Sequence, residues 1–240
     1  MQSQCRNSPR SCLDIARTQK IPLLNDYYLM YDTNTCHQAF PRYFIVYCDF
    51  TSQPGYAWTL IESFSRAKSL DSNINAAFSY DIFVNNLNPR NHWSYYRMSR
   101  TQMLYIYHRY GNISNQPLWR ATCNFESLSH PFSSSPPDVV YSSFSRLNIL
   151  DFYGQTCSIL DYVSVRGYTR WSSLYYVEAH TGQHFRLHIE SVHQLCGYII
   201  PSHNSYDHYF GDYNIYYHPR FSCTRSGSST TNWWIGAKIL

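Results

Sequence analysis

Apolar positions along this chain come in short runs rather than long stripes. YYLMYD, RYFIVYCDF, AWTLIESF, QMLYIYHRY, HFRLHIE, CGYII and WWIGAKIL are rich in aromatic and β-branched residues and bounded by Pro, Asn, Ser or Gly. That pattern predicts β-strands. AWTLI is apolar at consecutive positions, as a strand covered on both faces would be, so Trp58 is expected in the core. HFRLHIES alternates instead. Phe185, Leu187 and Ile189 share one face, while His184, Arg186, His188 and Glu190 form an expected solvated face. Adjacent strand residues point to opposite faces, so one of Trp233 and Trp234 is expected inside and the other outside. Helical signal is thin. Ser11 caps a predicted short helix running to Arg17, and Ser142 to Leu150 is a second candidate. The chain turns at Pro54-Gly55, and SHPFSSSPPDVV, His130 to Val140, reads as a loop. Neither an internal repeat nor a low-complexity linker is visible, so the pattern favours one α+β domain.

Composition narrows this picture. Charged residues are 14% of the chain, against about 25% in an average domain. Aromatics reach 18% with 24 Tyr, so Ser, Asn and Tyr carry much of the polarity. The net charge is +4 and no Lys/Arg run exceeds two residues, so no basic stripe suits a nucleic acid. The eight cysteines, Cys5, Cys12, Cys36, Cys48, Cys123, Cys157, Cys196 and Cys223, include no C-x-x-C pair. That spacing argues against zinc ribbons and thioredoxin-like redox motifs. An even, well-spaced set with low charge fits disulfides in an oxidising, extracellular compartment. Asn112-Ile113-Ser114, in the turn-like YGNISNQP, is an N-glycosylation acceptor and fits a secreted glycoprotein. The opening MQSQCRNSPR has no apolar signal core, so a signal peptide is expected to have been removed. No apolar run reaches the roughly 18 residues of a membrane span.

Three segments occur in an order that resembles a known family. SCLDIA at 11–16, FIVYCDF at 44–50 and AWTLIESFS at 57–65 are similar to the start of a fibrinogen C-terminal-like domain. That family opens with C-x-D-I in a short helix, passes V-Y-C-D, and crosses a Gly-rich turn to G-W-T. WRATCNF and STTNWWIGAKIL resemble a divergent invertebrate branch of the fibrinogen-related proteins, and the HW…YR of NHWSYYRMS is also similar to the intelectins. Two motifs depart from the family: its S-G-x-Y reads Asn25-Asp26-Tyr27-Tyr28, and its G-G-G-W-T reads Gly55-Tyr56-Ala57-Trp58-Thr59. Its acidic D-x-D calcium loop is not visible. The resemblance implies a tail at 1–8 and a single α+β fibrinogen C-terminal-like domain at 9–240, with an N-terminal subregion at about 9–65. It implies short twisted antiparallel sheets, few short helices, long loops and disulfide staples. It also implies a Cys12–Cys48 bond, worth about 3–4 kcal/mol by loop closure. Cys5–Cys36, Cys123–Cys157 and Cys196–Cys223 are sequence-near pairings, among many that eight cysteines allow.

Candidate chemistry concentrates in PSHNSYDHYFGDYN, Pro201 to Asn214. Ca²⁺ takes six to eight oxygens, and Asn204, Asp207, Asp212 and Asn214 offer four. His203 or His208 would bond a sugar hydroxyl or complete the shell, and a transition-metal site on these two is a lesser alternative. Tyr206, Tyr209, Tyr216, Tyr217, Trp233 and Trp234 are candidates for stacking on sugar rings. Equally, the stretch reads as a surface loop whose Asn and Asp side chains bond their own backbone. There is no G-x-S-x-G, H-E-x-x-H or Gly-rich phosphate loop, so an enzyme is not expected. The family resemblance therefore implies a secreted lectin-like module for glycans, glycoproteins or acetylated surface groups, in innate recognition or adhesion. Ca²⁺ is its candidate cofactor. The alternative is a structural or adhesive matrix protein without a small-ligand site. The 15 acidic residues are spread along the chain, against direct mineral templating.

Overall fold

A computed structural model describes residues 8–19, 23–32, 43–84, 93–114, 116–125, 138–180, 183–188, 196, 209–210 and 220–239. The first helix, α1 (Cys12–Thr18), forms behind Ser11 as the sequence predicts. The Asp14 N–H donates to Ser11 Oγ at 3.1 Å, and the Asp14 carboxylate accepts from the Arg10 N–H at 3.0 Å. An N-cap of this kind contributes about 1 kcal/mol. The helix buries Cys12, Leu13 and Ile15. The Cys12–Cys48 disulfide that the resemblance implies is present and ties α1 to β2.

Strands β1 (Asp26–Tyr31), β2 (Tyr43–Asp49), β3 (Tyr56–Ser65), β4 (Tyr95–Arg97) and β5 (Leu118–Cys123) are joined by β6 (Val139–Ser143), β7 (Gly154–Val165) and β8 (Tyr168–His180). Three more complete the set: β9 (Gln183–His188), β10 (Tyr209–Phe210) and β11 (Thr230–Lys238). They make one antiparallel sheet in the order β1-β2-β3-β11-β5-β6-β7-β8-β9-β10, with β4 on β3. With two α-helices among the described residues the architecture is broadly α+β. No described helix is long and apolar enough to cross a membrane.

The last strand returns to the middle of the sheet, and this corrects one expectation. Trp233 and Trp234 are both fully buried, not one in and one out, because β11 lies between β3 and β5 and is covered on both faces. Its register on β3 shifts between the two indoles. Trp58 is in the core, as expected. It fits because its cross-strand partner is Gly236. A Cβ there would press into the Trp58 ring and lie 2.6 Å from the Ala57 carbonyl oxygen.

Two segments take the opposite structure to the one predicted. QMLYIYHRY lies in a helix, α2 (Arg100–Ser114), whose buried Met103, Ile106 and Tyr110 follow helical spacing. Ser99 and Gln102 cap it reciprocally: Gln102 N–H donates to Ser99 Oγ at 3.2 Å, and Ser99 N–H donates to Gln102 Oε1 at 3.1 Å. Asn112, expected in a turn, sits in its last turn. Ser142 to Leu150 is not helical: β6 runs through Ser143 and turns follow. The 130–137 part of the predicted loop lies outside the described residues, and its last two positions, Val139 and Val140, belong to β6 instead.

The sequence-near cysteine pairings are also corrected. Cys123 bonds Cys223 and Cys157 bonds Cys196. Cys123 ends β5 beside Thr231 of β11, and the 222–224 turn that carries Cys223 packs on both strands. A partner 100 residues away is thus closer than the next cysteine in sequence. Cys5 and Cys36 lie outside the described residues.

β9 forms where HFRLHIE predicts a strand, yet its polar face is not solvated throughout. His184 is fully buried, with Nε2 2.5 Å from Glu62 Oε2. The other Glu62 oxygen accepts from Arg97 Nη1 at 2.9 Å. Arg97 donates onward to the carbonyls of Ala76 and Ala77 at 2.7 and 2.8 Å. Breaking one partner of such a buried network costs about 3–5 kcal/mol.

Candidate functional site

One row of side chains crosses five neighbouring strands. Trp234 of β11 is opposite Arg120 of β5, Arg120 opposite Tyr141 of β6, Tyr141 opposite Tyr162 of β7, and Tyr162 opposite Trp171 of β8. Directly opposed residues share a sheet face, so the row is continuous.

Its inner end is closed. The Arg120 guanidinium carbon lies 4.4 Å from the Trp58 ring centre and 4.6 Å from that of Trp234. Its Nη2 donates to Asp49 Oδ2 at 2.5 Å and its Nη1 to Ser52 Oγ at 2.9 Å. Burial alone would push the Asp49 carboxyl up. The Arg120 charge and the hydrogen bonds from Ser52 and Arg120 outweigh it and hold Asp49 below its ordinary value. Trp234 donates its Nε1–H to Thr122 Oγ1 at 3.0 Å. Its ring is therefore committed to the core, and the stacking role expected of Trp234 is not available.

The outer end is open. Tyr141 and Tyr162 stack with ring centres 5.2 Å apart, and Tyr162 lies 4.3 Å from Trp171. Both tyrosines are half-buried, while Trp171 is 65% exposed. The backbone explains how β7 and β8 present these rings. Arg166 and Gly167 both have positive φ and close a two-residue hairpin. Ser172 also has a positive φ, of 45°. Across this irregularity the alternation changes: Ser158 and Leu160 are buried on one side, and Val163, Ser164 and Val165 are all buried on the other. Tyr162, which shares parity with buried Leu160, is thereby carried to a half-open position. Burial, reinforced by Tyr56, Asp161 and Tyr162, pushes the Tyr141 hydroxyl up to about 12. It stays protonated at neutral pH, able to donate and accept.

A second surface cluster lies on the base of the same hairpin. Glu178 accepts from Arg186 Nη1 at 3.1 Å and lies 3.2 Å from His188 Nε2 and 3.6 Å from His180 Nε2. Burial would raise its carboxyl, but His188 and Arg186 outweigh that and lower it. Glu178 is thus shared among three basic side chains. Among the described residues no set of three or more His, Cys, Asp or Glu side chains is placed to hold a metal ion.

The predicted loop residues His203, Asn204, Tyr206, Asp207, His208, Asp212, Asn214, Tyr216 and Tyr217 lie outside the described residues. Sequence reasoning missed Tyr141, Tyr162 and Trp171. A signal for Trp171 was present: it sits among Thr169, Arg170, Ser172 and Ser173, just past Arg166-Gly167. A tryptophan with only polar neighbours in a hairpin strand marks an exposed indole. Compared with protein-family models, curated proteins and solved structures, the chain has no match.

Proposed function

We propose that this protein is a non-catalytic, lectin-like binding module that takes carbohydrate on the outer end of the aromatic row. The observation that carries the reading is Trp171, 65% exposed and backed by Tyr162 and Tyr141. A pyranose presents an apolar C–H face that stacks on an indole, and its hydroxyls suit the amphipathic tyrosines. Rings held by a sheet lose little conformational entropy on binding. Three disulfides among the described residues fit an extracellular setting for such a module. The capped helix α1, the Cys12–Cys48 bond and buried Trp58 support the fibrinogen C-terminal-like reading of the first part of the chain. A calcium contribution from Asp207 and Asp212 belongs to the same proposal.

The test is binding of the wild-type protein to immobilised glycans, competed by free sugar with and without Ca²⁺. Alongside it, the indole N–H resonance of Trp171 is followed by NMR. The reading expects competable binding and a shift of that resonance. Absence of glycan binding, or binding that leaves Trp171 unshifted, overturns it and favours the structural or adhesive matrix role.

A further inference from the structure

The three disulfides among the described residues are not equivalent. Cys12, Cys48, Cys123 and Cys223 are all buried in the core. Cys157 is exposed on β7, and its partner Cys196 is only half-buried. Cys157 is opposite Tyr176 on the outward face of the hairpin, two register positions from the Gln155–Glu178 pair. Cys196 holds a φ of +72°, a left-handed conformation that a non-glycine residue keeps only under constraint. The bond at 157–196 thus combines access for a nucleophile with backbone strain that opening relieves, a combination that neither buried bond has.

We propose that Cys157–Cys196 is a thiol-exchange site for low-molecular-weight thiols. A thiolate attacks the sulfur of the exposed residue Cys157 along the S–S axis. A mixed disulfide forms at Cys157, and Cys196 leaves as a thiolate and takes a proton. A second thiolate then attacks the small molecule's sulfur in that mixed disulfide. It releases Cys157 as a thiol and yields the oxidised, disulfide-linked dimer of the small thiol. Two small thiols are oxidised and one protein disulfide is reduced, so electrons and protons balance. Exposed or strained disulfides are the labile ones, whereas buried bonds react only after local opening of the fold. Opening cuts the tie between β7 and position 196. It leaves Cys123–Cys223 as the covalent anchor for the stretch that ends at Cys223.

The experiment incubates the native, full chain with reduced glutathione, quenches samples with iodoacetamide over time, and maps labelled peptides by mass spectrometry. Tryptophan fluorescence is read in parallel to report the native state. Cys157 and Cys196 are expected to label at least about tenfold faster than Cys12, Cys48, Cys123 and Cys223, with native fluorescence retained and a glutathione adduct at Cys157. Equal labelling of the three bonds overturns the proposal. So does labelling of Cys157 and Cys196 only after the native fluorescence is lost.

Discussion

The two ends of the aromatic row each carry a tryptophan, buried at one and open at the other. At Trp234 the rings enclose a cation that is hydrogen-bonded to Asp49 and Ser52, and the rings, the cation and Asp49 are buried from solvent. At Trp171 the same row runs out along a hairpin and ends on an open indole. Cover, not composition, separates a core tryptophan from an exposed one. In a chain with 24 Tyr and 6 Trp, the number of aromatic residues therefore identifies no site.

Substitutions at the closed end are expected to have the largest effects. Trp58→Ala should lower the free energy of unfolding by about 3–5 kcal/mol through the cavity it leaves. A loss below about 1 kcal/mol in urea denaturation would show that this end is not the core. Arg120→Ala should cost about 3–5 kcal/mol, because it strands a buried Asp49 carboxylate. Arg120→Lys should recover only part of this, since an ammonium cannot fill the planar slot between Trp58 and Trp234. Equal stability of Arg120→Ala and wild type would contradict the closed-end account. Gly236→Ala should cost about 1–3 kcal/mol by overpacking against Trp58, read in the same denaturation series.

The pH dependence sharpens the same contrast. Asp49 titrates below its ordinary value of 3.8 in the folded protein. Its stabilisation is complete above that value and is lost as the pH falls through the lowered one. Glu178, lowered from 4.5, adds a smaller loss in the same direction because it is less enclosed. Melting temperature should therefore drop as the pH falls below about 4. In Arg120→Ala the fall should shrink or reverse, since burial without the cation pushes the Asp49 carboxyl up. An unchanged acid limb in that variant would contradict the pairing.

What the sequence shows directly is what local physics controls. The Ser11 cap, the strands around Cys48 and Trp58, and the hairpin-forming residues all act over a few positions. The α2 helix was legible too, through Ser99 and Gln102 in capping-box spacing and the 3–4 spacing of Met103, Ile106 and Tyr110. Its aromatic, β-branched content masked that signal. Long-range facts were not legible. His184 meets Glu62 across 122 positions, and Cys123 meets Cys223 across 100. Both depend on sheet order, which places the last strand in the centre. Trp171 lies between these cases: its polar neighbours Thr169, Arg170, Ser172 and Ser173 mark an exposed indole, while the positive φ at Ser172 has no sign in the sequence.

The smallest expected effect on stability is also the most direct test of the open end. Trp171→Ala removes an exposed ring and should change unfolding free energy by no more than about 0.5 kcal/mol. The same variant should lose at least about tenfold in affinity for the glycan that wild type binds, equivalent to about 1.4 kcal/mol. Paired urea denaturation and glycan titration of wild type and Trp171→Ala measure both quantities on one sample. Stability retained with binding lost is the predicted result. Binding retained, or a stability loss as large as that of Trp58→Ala, would contradict the account.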